Sequence, residues 1–596
     1  MDGRIKKAAH NIKYEYMWTK GIMGTEVVNP YWCTMNTAHI IDDRKKYTKL
    51  KFQAFLHFGT VPYDDHIHPY LVTNGEFNRV EEVDLDDLLF YGAKDSFYGG
   101  MLLTKQRDKE LKQGGNLKAQ GKKTLEDAHE FWEECQRSLM EMTEEGVRAD
   151  YEYYRTQVES LTSDISSYKD SLLQDPEALR FREVMGRDIE IRKDVSDVDI
   201  KKLLFDILHL TPIKTTESDQ PSIDAEVLEK IGSSFGKKVI KLRKTVKMLS
   251  YVEQFLREVS PDGKIHTFFN LNIARSMRGS STDPNLQNVP TRDEEAKKLT
   301  RSGIFPQLGH QFLFGDFKAI EVCGAAIVSQ DPNLIYYIKT PGTDMHRDQA
   351  EEIWCLPEER VEKKIRFYAK NCFVFPEFYG DYYGNCAKAL WENCQLLKTT
   401  DGVVLKDHLK SIGVIGALSP FKDFEEHVKQ VEVKFWNKFG KLKEWQKQTI
   451  AEYKKTQWVR HEFFGFRRGG LISKNQIGNT PIQGLAFHLL MSTINRCKKI
   501  SKEEGWQSKI VLQIHDEMIV SLHPSEYHHV RKTIADVAQK WLLEQNDWII
   551  VPLTMEFEAA PLDKPWAEKT EIDDLGIVVK KDSKYFGKNI IGNRGE

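Results

Sequence analysis

The sequence predicts a multidomain α/β chain, and three observations predict it. Its 596 residues exceed what one core holds, since domains run to roughly 100–200 residues. Through residues 425–455, Val428, Val431, Phe435, Phe439, Leu442 and Trp445 recur at spacings of three and four, the mark of a long amphipathic helix. Two apolar segments, Gln311–Phe314 and Lys509–Leu522, have strand character instead. An apolar content of 40% with 11% aromatics supplies packed cores and excludes wholesale disorder.

Taken in order, the first hundred residues mix strand and helix signals, with Glu26–Val28 extended and Leu88–Leu89 an apolar pair. Lys105–Lys123 (KQRDKELKQGGNLKAQGKK) reads as a linker or a solvated helix. From Thr124 to Leu172 one helical pattern puts Phe131, Leu139 and Met142 on a buried face. Residues 200–258 alternate short helices with the polar loop Thr215–Ser222, then enter a basic helix. Within Phe235–Met248, Lys237, Lys238, Lys241, Arg243, Lys244 and Lys247 stand without an acid, which suits a solvated face or a nucleic-acid contact. Gln311–Phe314 runs into Gly315-Asp316, and Lys509–Leu522 is two apolar runs around His515-Asp516-Glu517, a hairpin with acids at its tip. The polar, Lys-rich stretch Glu568–Glu596 reads as a loosely held tail.

No run reaches the roughly 18 apolar residues of a membrane span, and Met1–Trp18 lacks a signal-peptide core. A soluble, cytoplasmic protein is expected. The eight cysteines (33, 135, 323, 355, 372, 386, 394, 497) form no CxxC pair, which points to reduced thiols and against structural zinc. A net charge of −3 argues against a nucleic-acid partner. That balance is an average, however: basic residues concentrate at 237–247, 363–370 and 467–474.

Two constellations carry chemistry. Asp316 and Asp516-Glu517 each follow apolar residues expected inside a domain, where an unpaired carboxylate is costly. Brought together they repel unless a cation lies between them, and magnesium is commonly held by one or two carboxylates plus substrate phosphates. Taken singly, each acid reads equally as a turn residue. Arg366 and Lys370 are four apart and share a helix face, which suits either a snorkelling basic stripe or a triphosphate clamp. The NCFVFPEFYG that follows is aromatic enough for base stacking. The loop-like Arg278–Asn288 is rich in amides able to reach groove or backbone acceptors.

Together these segments resemble DNA polymerase family A, the bacterial DNA polymerase I and phage replicase type. RGSSTDPNLQNVPTR (Arg278–Arg292) is similar to its primer-template loop, GDFKAIE (Gly315–Glu321) to motif A, RFYAKNCFVFPEFYG (Arg366–Gly380) to motif B and VLQIHDEMIV (Val511–Val520) to motif C. NTPIQG (Asn479–Gly484) and DMHRDQA (Asp344–Ala350) match further blocks in order. The resemblance implies a right hand with an antiparallel palm sheet behind an incomplete RNase H-like exonuclease domain. It divides the chain into an exonuclease-like part at 1–115, linker and thumb at 116–260, palm at 261–335 and 480–568, fingers at 336–479 and a tail at 569–596.

By position, the resemblance makes Asp316 and Asp516 the ligands of two Mg²⁺ ions, with Mn²⁺ as the alternative, and Glu517 a less essential carboxylate beside them. Arg366, Lys370 and His346 would hold the triphosphate of a dNTP, with Lys370 assisting pyrophosphate departure. Phe375 and Tyr379 would face the nucleotide, and Glu321 would exclude a ribose 2′-OH. Arg278, Asn285, Gln287, Asn288, Asn479, Gln483 and His515 would contact primer-template DNA.

Three departures stand out. Motif A reads DFKAIE where the family has Asp-Tyr-Ser-Gln-Ile-Glu. Motif B holds one residue too many, so the sugar-facing position falls on Val374 counted from Lys370 and on Phe375 counted from Tyr379; Phe375 is preferred because an aliphatic side chain stacks poorly. Pro376 removes a helical hydrogen bond, and a kink or π-bulge is expected at residues 373–377. At the N-terminus, HNIKYE (His10–Glu15) and Tyr91–Asp95 are similar to the second and third proofreading motifs, but an Asp-x-Glu first motif is missing. Glu15, Tyr91 and Asp95 are therefore expected to form a vestigial site without proofreading, or one completed by a separate polypeptide. The compact length and altered motifs lean toward a phage or virus. A single-subunit RNA polymerase and a catalytically silent DNA-binding descendant are the competing readings; Glu321 disfavours the first and the intact Asp316, Asp516, Arg366 and Lys370 the second.

Overall fold

The protein is described by a computed structural model that covers residues 4–72, 78–113, 116–192, 194–213, 220–291 and 293–595. Most of the polar loop Thr215–Ser222 and the final residue of the Arg278–Arg292 segment lie outside the described residues. At the centre is a five-stranded antiparallel sheet of β1 (Gln311–Phe317), β2 (Lys509–Ile514), β3 (Glu517–Leu522), β4 (Met555–Ala559) and β5 (Thr570–Glu571), in the order β2-β3-β1-β4-β5. β1 is longer than the apolar run implied, because Gly315, Asp316 and Phe317 continue the pairing on both sides. Phe312, Leu313, Phe314 and Phe317 are buried in the main core, with Met518, Ile519 and Val520 beside them.

The helix Lys474–Glu504 packs across helix Ile320–Ser329, which leaves β1 at once. Its interior Pro481 is tolerated where close packing demands little volume: a Cβ on Gly484 would stand 1.9 Å from the His461 ring, and one on Gly478 2.9 Å from the Tyr379 carbonyl oxygen. Helices Tyr151–Leu173 and Ser234–Glu258 form an arm whose far end has its own core, including Phe181, Leu204, Leu228, Phe235 and Leu242. Near the N-terminus a two-stranded parallel sheet pairs Lys7–Ala9 with Pro30–Cys33, flanked by helices Ile12–Met23, Leu50–Phe58 and Leu85–Lys105. No helix among the described residues is long and apolar enough to cross a membrane.

Several expectations need correction. The extended segment near residue 26 begins at Pro30 instead, whereas Leu88–Leu89 lie in a helix in keeping with the mixed signals of this region. Lys105–Lys123 is not a free linker: Gln106 is fully buried, accepts from the Trp32 indole at 3.1 Å and donates to the Thr34 carbonyl at 2.9 Å. The helical stretch 124–172 is two helices, because Gly146 at φ 58° ends Leu125–Glu145 and Val147–Ala149 pairs as a strand. The helix at 425–455 is also two, Pro420–Lys438 and Gly440–Thr456, broken where Phe439 leaves helical geometry to stay buried.

The tail is not loose. Ile572, Val578, Tyr585 and Ile590 are buried in the main core, and Gly592 N–H donates to the Gln311 side chain at 2.8 Å. Buried apolar side chains contribute roughly 1.5–3 kcal/mol each, so the high Lys content of the segment misleads about its order.

Candidate functional site

The carboxylates are assembled by strand register. Asp316 of β1 stands directly opposite Glu517 of β3, and β2 and β3 are joined by the two-residue turn His515-Asp516, with His515 at φ 56°. Asp516 is therefore delivered to the end of the sheet next to Asp316. Burial, then the charges of Asp516 and Glu517, push the Asp316 carboxyl up to about 8, and its buried Oδ1 has no hydrogen-bond partner. A buried, repelled and unsatisfied carboxylate fits a missing cation. Among the described residues no group of three His, Cys, Asp or Glu is arranged to hold a metal by itself. A pair of aspartates would suit magnesium completed by a substrate's phosphates. Glu517 is engaged elsewhere, by Lys569.

The turn that carries Asp516 is braced from behind. Gln513 donates to the His515 carbonyl at 2.5 Å, and buried Gln287 donates to the Gln513 side chain at 2.7 Å. Gln287 supports this turn and also lines one cleft with Asn288 and His515. Asn285 likewise spends its side-chain oxygen on Ser281 and on the Asn288 N–H, both at 3.1 Å, capping the short turn Leu286–Asn288. Asn288 itself is exposed. It lines a cleft of about 350 Å³ with Lys244, Lys247, Met248, Tyr251 and His515. Of the basic helix, Lys238 pairs with Asp175, Arg243 with Asp194 and Asp197, and Lys244 with Asp293 and Glu295. Half of that charge therefore serves the fold.

Facing the acids is a cationic helix. Lys363–Ala369 passes into a π-helical turn, Lys370–Val374, and then a short α-turn, Phe375–Phe378, with Pro376 in its first turn. The extra motif residue is absorbed as a bulge, centred earlier than residues 373–377, because Pro376 sits most easily where a helix restarts. Val374 is fully buried, whereas the Phe375 ring lies edge-on to His346 at 5.4 Å, stacks with Tyr379 at 5.9 Å and carries the Lys370 ammonium 5.0 Å from its centre. His346 is buried with Nδ1 unpartnered. Burial, then the charges of Lys370 and Arg366, lower its pKa to about 3. Arg366 is held by Asp344, which also caps the helix Met345–Trp354.

Between the two groups lies Glu321, in the first turn of helix Ile320–Ser329. Its carboxyl accepts from the Tyr379 hydroxyl at 3.2 Å. Burial raises its pKa, opposed by the neighbouring Arg278 charge and, more weakly, by Lys370, while Asp516 raises it further. Gln483 reaches Tyr379, and Asn479 leaves a buried side-chain oxygen unpaired. Charge and contact thus link Asp316, Asp516, Glu321, Arg278, Tyr379, Lys370, Phe375, His346 and Arg366 as successive neighbours. Sequence reading missed Asp344, which holds Arg366, and Lys569, which holds Glu517. Only the N-cap position of Asp344 before a helical run left a trace of its role.

The predicted exonuclease residues also meet. Asp95 accepts from Lys51 at 2.6 Å on both oxygens and from Tyr63 at 2.6 Å, and Tyr91 lies 3.0 Å from Lys51. Burial, then the charge of Asp95, raises the Glu15 carboxyl.

An antiparallel sheet that presents paired acids beside a cationic helix is an arrangement suited to phosphate-ester chemistry. The comparisons name the family. The model of DNA polymerase family A matches residues 166–567, and this chain belongs to DNA polymerase family A. It is 25% identical over 443 residues to DNA polymerase I of Bacillus subtilis, covering 73% of this chain and 46% of that one. It is 24% identical over 567 residues to DNA polymerase I of Chloroflexus aurantiacus, covering 93% and 54%. The chain spans about half the length of these curated relatives. The fold matches the POL domain of Pol1 from M. smegmatis, solved in complex with DNA primer-template and dNTP, with a TM-score of 0.70 at 20% identity over 95% of this chain and 87% of that one.

Proposed function

We propose that this chain is a template-directed DNA polymerase that extends a primer 3′ end with dNTPs. The observation that carries the reading is the register that sets Asp316 against Glu517, with Asp516 beside them and the Arg366/Lys370 helix opposite. Two magnesium ions held by Asp316 and Asp516, or manganese in their place, would supply stabilisation of the attacking and leaving oxygens. Arg366 and Lys370 bind the triphosphate, and Lys370 donates a proton or charge to the departing pyrophosphate. Neutral His346 offers a ring nitrogen to the same phosphates. Phe375 stacks under the sugar, and Glu321, fixed by Tyr379, leaves no room for a 2′-OH. Arg278, Asn288, Asn479, Gln483 and His515 line the path of primer and template, while Asn285 and Gln287 act through the loop and turn they brace.

The division into thumb, palm and fingers at the boundaries given above belongs to the same proposal. So does the absence of proofreading: the Lys51 ammonium occupies the Asp95 carboxylate. A second polypeptide would cover this region; Tyr14, Trp18 and Ile22 form an exposed i, i+4, i+8 stripe beside a sheet of only two parallel strands, and parallel sheets are ordinarily covered on both faces. The relatives above are bacterial, and a phage origin rests on the compact length and the altered motifs. The decisive test is primer extension with Mg²⁺ and dNTPs beside Asp516→Ala. Template-dependent extension lost in the variant is expected. No extension by the parent chain, or incorporation of rNTPs as readily as dNTPs, overturns the reading.

A further inference from the structure

Under the paired aspartates the C-terminal segment supplies a buried cation. Asp316 pairs in register with Glu517 on one side and Glu556 on the other, so these three carboxylates share one sheet face. Glu558, two residues along β4, joins them on that face. Such a row repels itself and draws any mobile member toward a bound cation.

Lys569 answers two of these acids. Its ammonium bonds Glu517 and lies 2.5 Å from Glu558, with the Phe314 ring centre 4.5 Å away. The side chain is 18% exposed, so little water competes. The Glu556 charge is met separately by Lys318 at 2.9 Å. Lys569 cannot drift. It is held between Trp566, which stacks on Phe314 at 6.3 Å, and β5, which pairs Thr570 with Ala559. Behind it, Ile572 and Val578 anchor the segment in the core. The family match ends at residue 567, so this cation arrives from outside the matched region.

We propose that Lys569 is a positioning residue that holds Glu517 and Glu558 off the Asp316–Asp516 pair, so that only the two aspartates face bound cations. The segment once expected to be a loose tail is then part of the site. The kinetic arm of the test rests on the polymerase reading; the binding arm does not.

The experiment measures Mn²⁺ binding by electron paramagnetic resonance on the full chain without DNA or nucleotide, beside primer extension against Mg²⁺ concentration. Lys569→Met frees Glu517 to add a third carboxylate, and Mn²⁺ affinity is expected to rise about tenfold while extension slows. Lys569→Arg keeps both properties of the parent. Glu517→Gln binds Mn²⁺ like the parent, because Glu517 is turned to Lys569, and the triple variant Glu517→Gln/Glu558→Gln/Lys569→Met returns to parental affinity. Unchanged Mn²⁺ affinity in a folded Lys569→Met chain overturns the proposal, as does a triple variant that binds as tightly as Lys569→Met. Should Lys569→Met not fold, loss of Mn²⁺ affinity in Glu517→Gln overturns it alone. If the Mn²⁺ shifts appear but the parent chain extends no primer, the polymerase reading fails and the role of Lys569 stands.

Discussion

Arg366 donates its Nε–H to Oδ2 of Asp344 at 2.8 Å, and its Nη2 lies at the same distance from that oxygen. The pair ties the cationic helix to the helix that carries His346. Burial raises the Asp344 carboxyl, but the Arg366 hydrogen bond and the Arg347 N–H outweigh it and hold it below the usual range. In the proposed function, an arriving triphosphate competes with Asp344 for the guanidinium. Asp344→Asn keeps the helix cap, since Asn caps as well as Asp, and removes the competing charge. A partly exposed ion pair is worth roughly 0.2–1 kcal/mol, so the KM for dNTP is expected to fall about threefold. Arg366→Ala discards the charge-assisted bonds to phosphate, worth roughly 1.5–3 kcal/mol, and raises KM roughly 10- to 100-fold. Single-nucleotide incorporation measures both.

The extra residue of the fingers motif yields a second pair of outcomes. Phe375 sits among His346, Tyr379 and Lys370, while Val374 has no exposed surface. Phe375→Tyr is expected to narrow the preference for dNTPs over dideoxynucleotides without changing stability. Val374→Ala is expected to lower stability by about 1–3 kcal/mol through the cavity it leaves and to keep the preference. Competitive incorporation and thermal melting separate the two positions. The reverse pattern assigns the sugar contact to Val374.

Stability should also depend on pH through a group remote from the cleft. Glu133, buried in helix Leu125–Glu145, accepts from the Cys33 N–H at 3.1 Å. Burial raises its pKa to about 7, opposed by the Cys33 N–H and then Arg137. A carboxyl raised from 4.5 to about 7 on folding costs nothing below the lower value and penalises the folded state increasingly as pH rises to the upper one. Glu133→Gln keeps an acceptor for Cys33 and removes that penalty. At pH 8 it should stabilise the chain by an order of 2–3 kcal/mol, and at pH 4 by almost nothing. Melting curves at the two pH values check the difference; equal shifts at both would remove the titration from the explanation.

How much of this was legible depends on the range of the interaction. Asp316 and the hairpin of Asp516 announced themselves because a polar group interrupting an apolar run is a local signal. The π-bulge was legible as a counting mismatch around Pro376, although its place was not, since the helix chose to restart at the proline. Asp344–Arg366 and Lys569–Glu517 were not legible. Each joins residues far apart in sequence through ordinary charged types that surface positions also use. For the same reason the bracing contacts of Gln287 and Asn285 were not legible: an amide in a loop carries no mark of whether it also braces a turn. Phe439 concealed a helix break because its burial preserved the apolar spacing on both sides.

Asp95 is bound by Lys51 through both oxygens and by the Tyr63 hydroxyl, and the Lys51 ammonium also lies 4.4 Å from the Tyr91 ring centre. A carboxylate so occupied is a structural tie between helices Leu50–Phe58 and Leu85–Lys105. Removing one partner of such a pair leaves the other uncompensated and costs roughly 1–3 kcal/mol. Asp95→Ala is therefore expected to speed proteolysis within residues 50–105 and to leave primer extension unchanged. The parent chain is expected to excise no mismatched 3′ nucleotide in Mg²⁺ or Mn²⁺. Lys51→Ala leaves Asp95 uncompensated and should open the same segment to the protease, whereas Lys51→Arg preserves the charge and should not. Mismatch excision by the parent chain that disappears in Asp95→Ala would make the cluster a nuclease site and Lys51 a residue that yields to the cation; protection unchanged in both alanine variants would deny it the structural role.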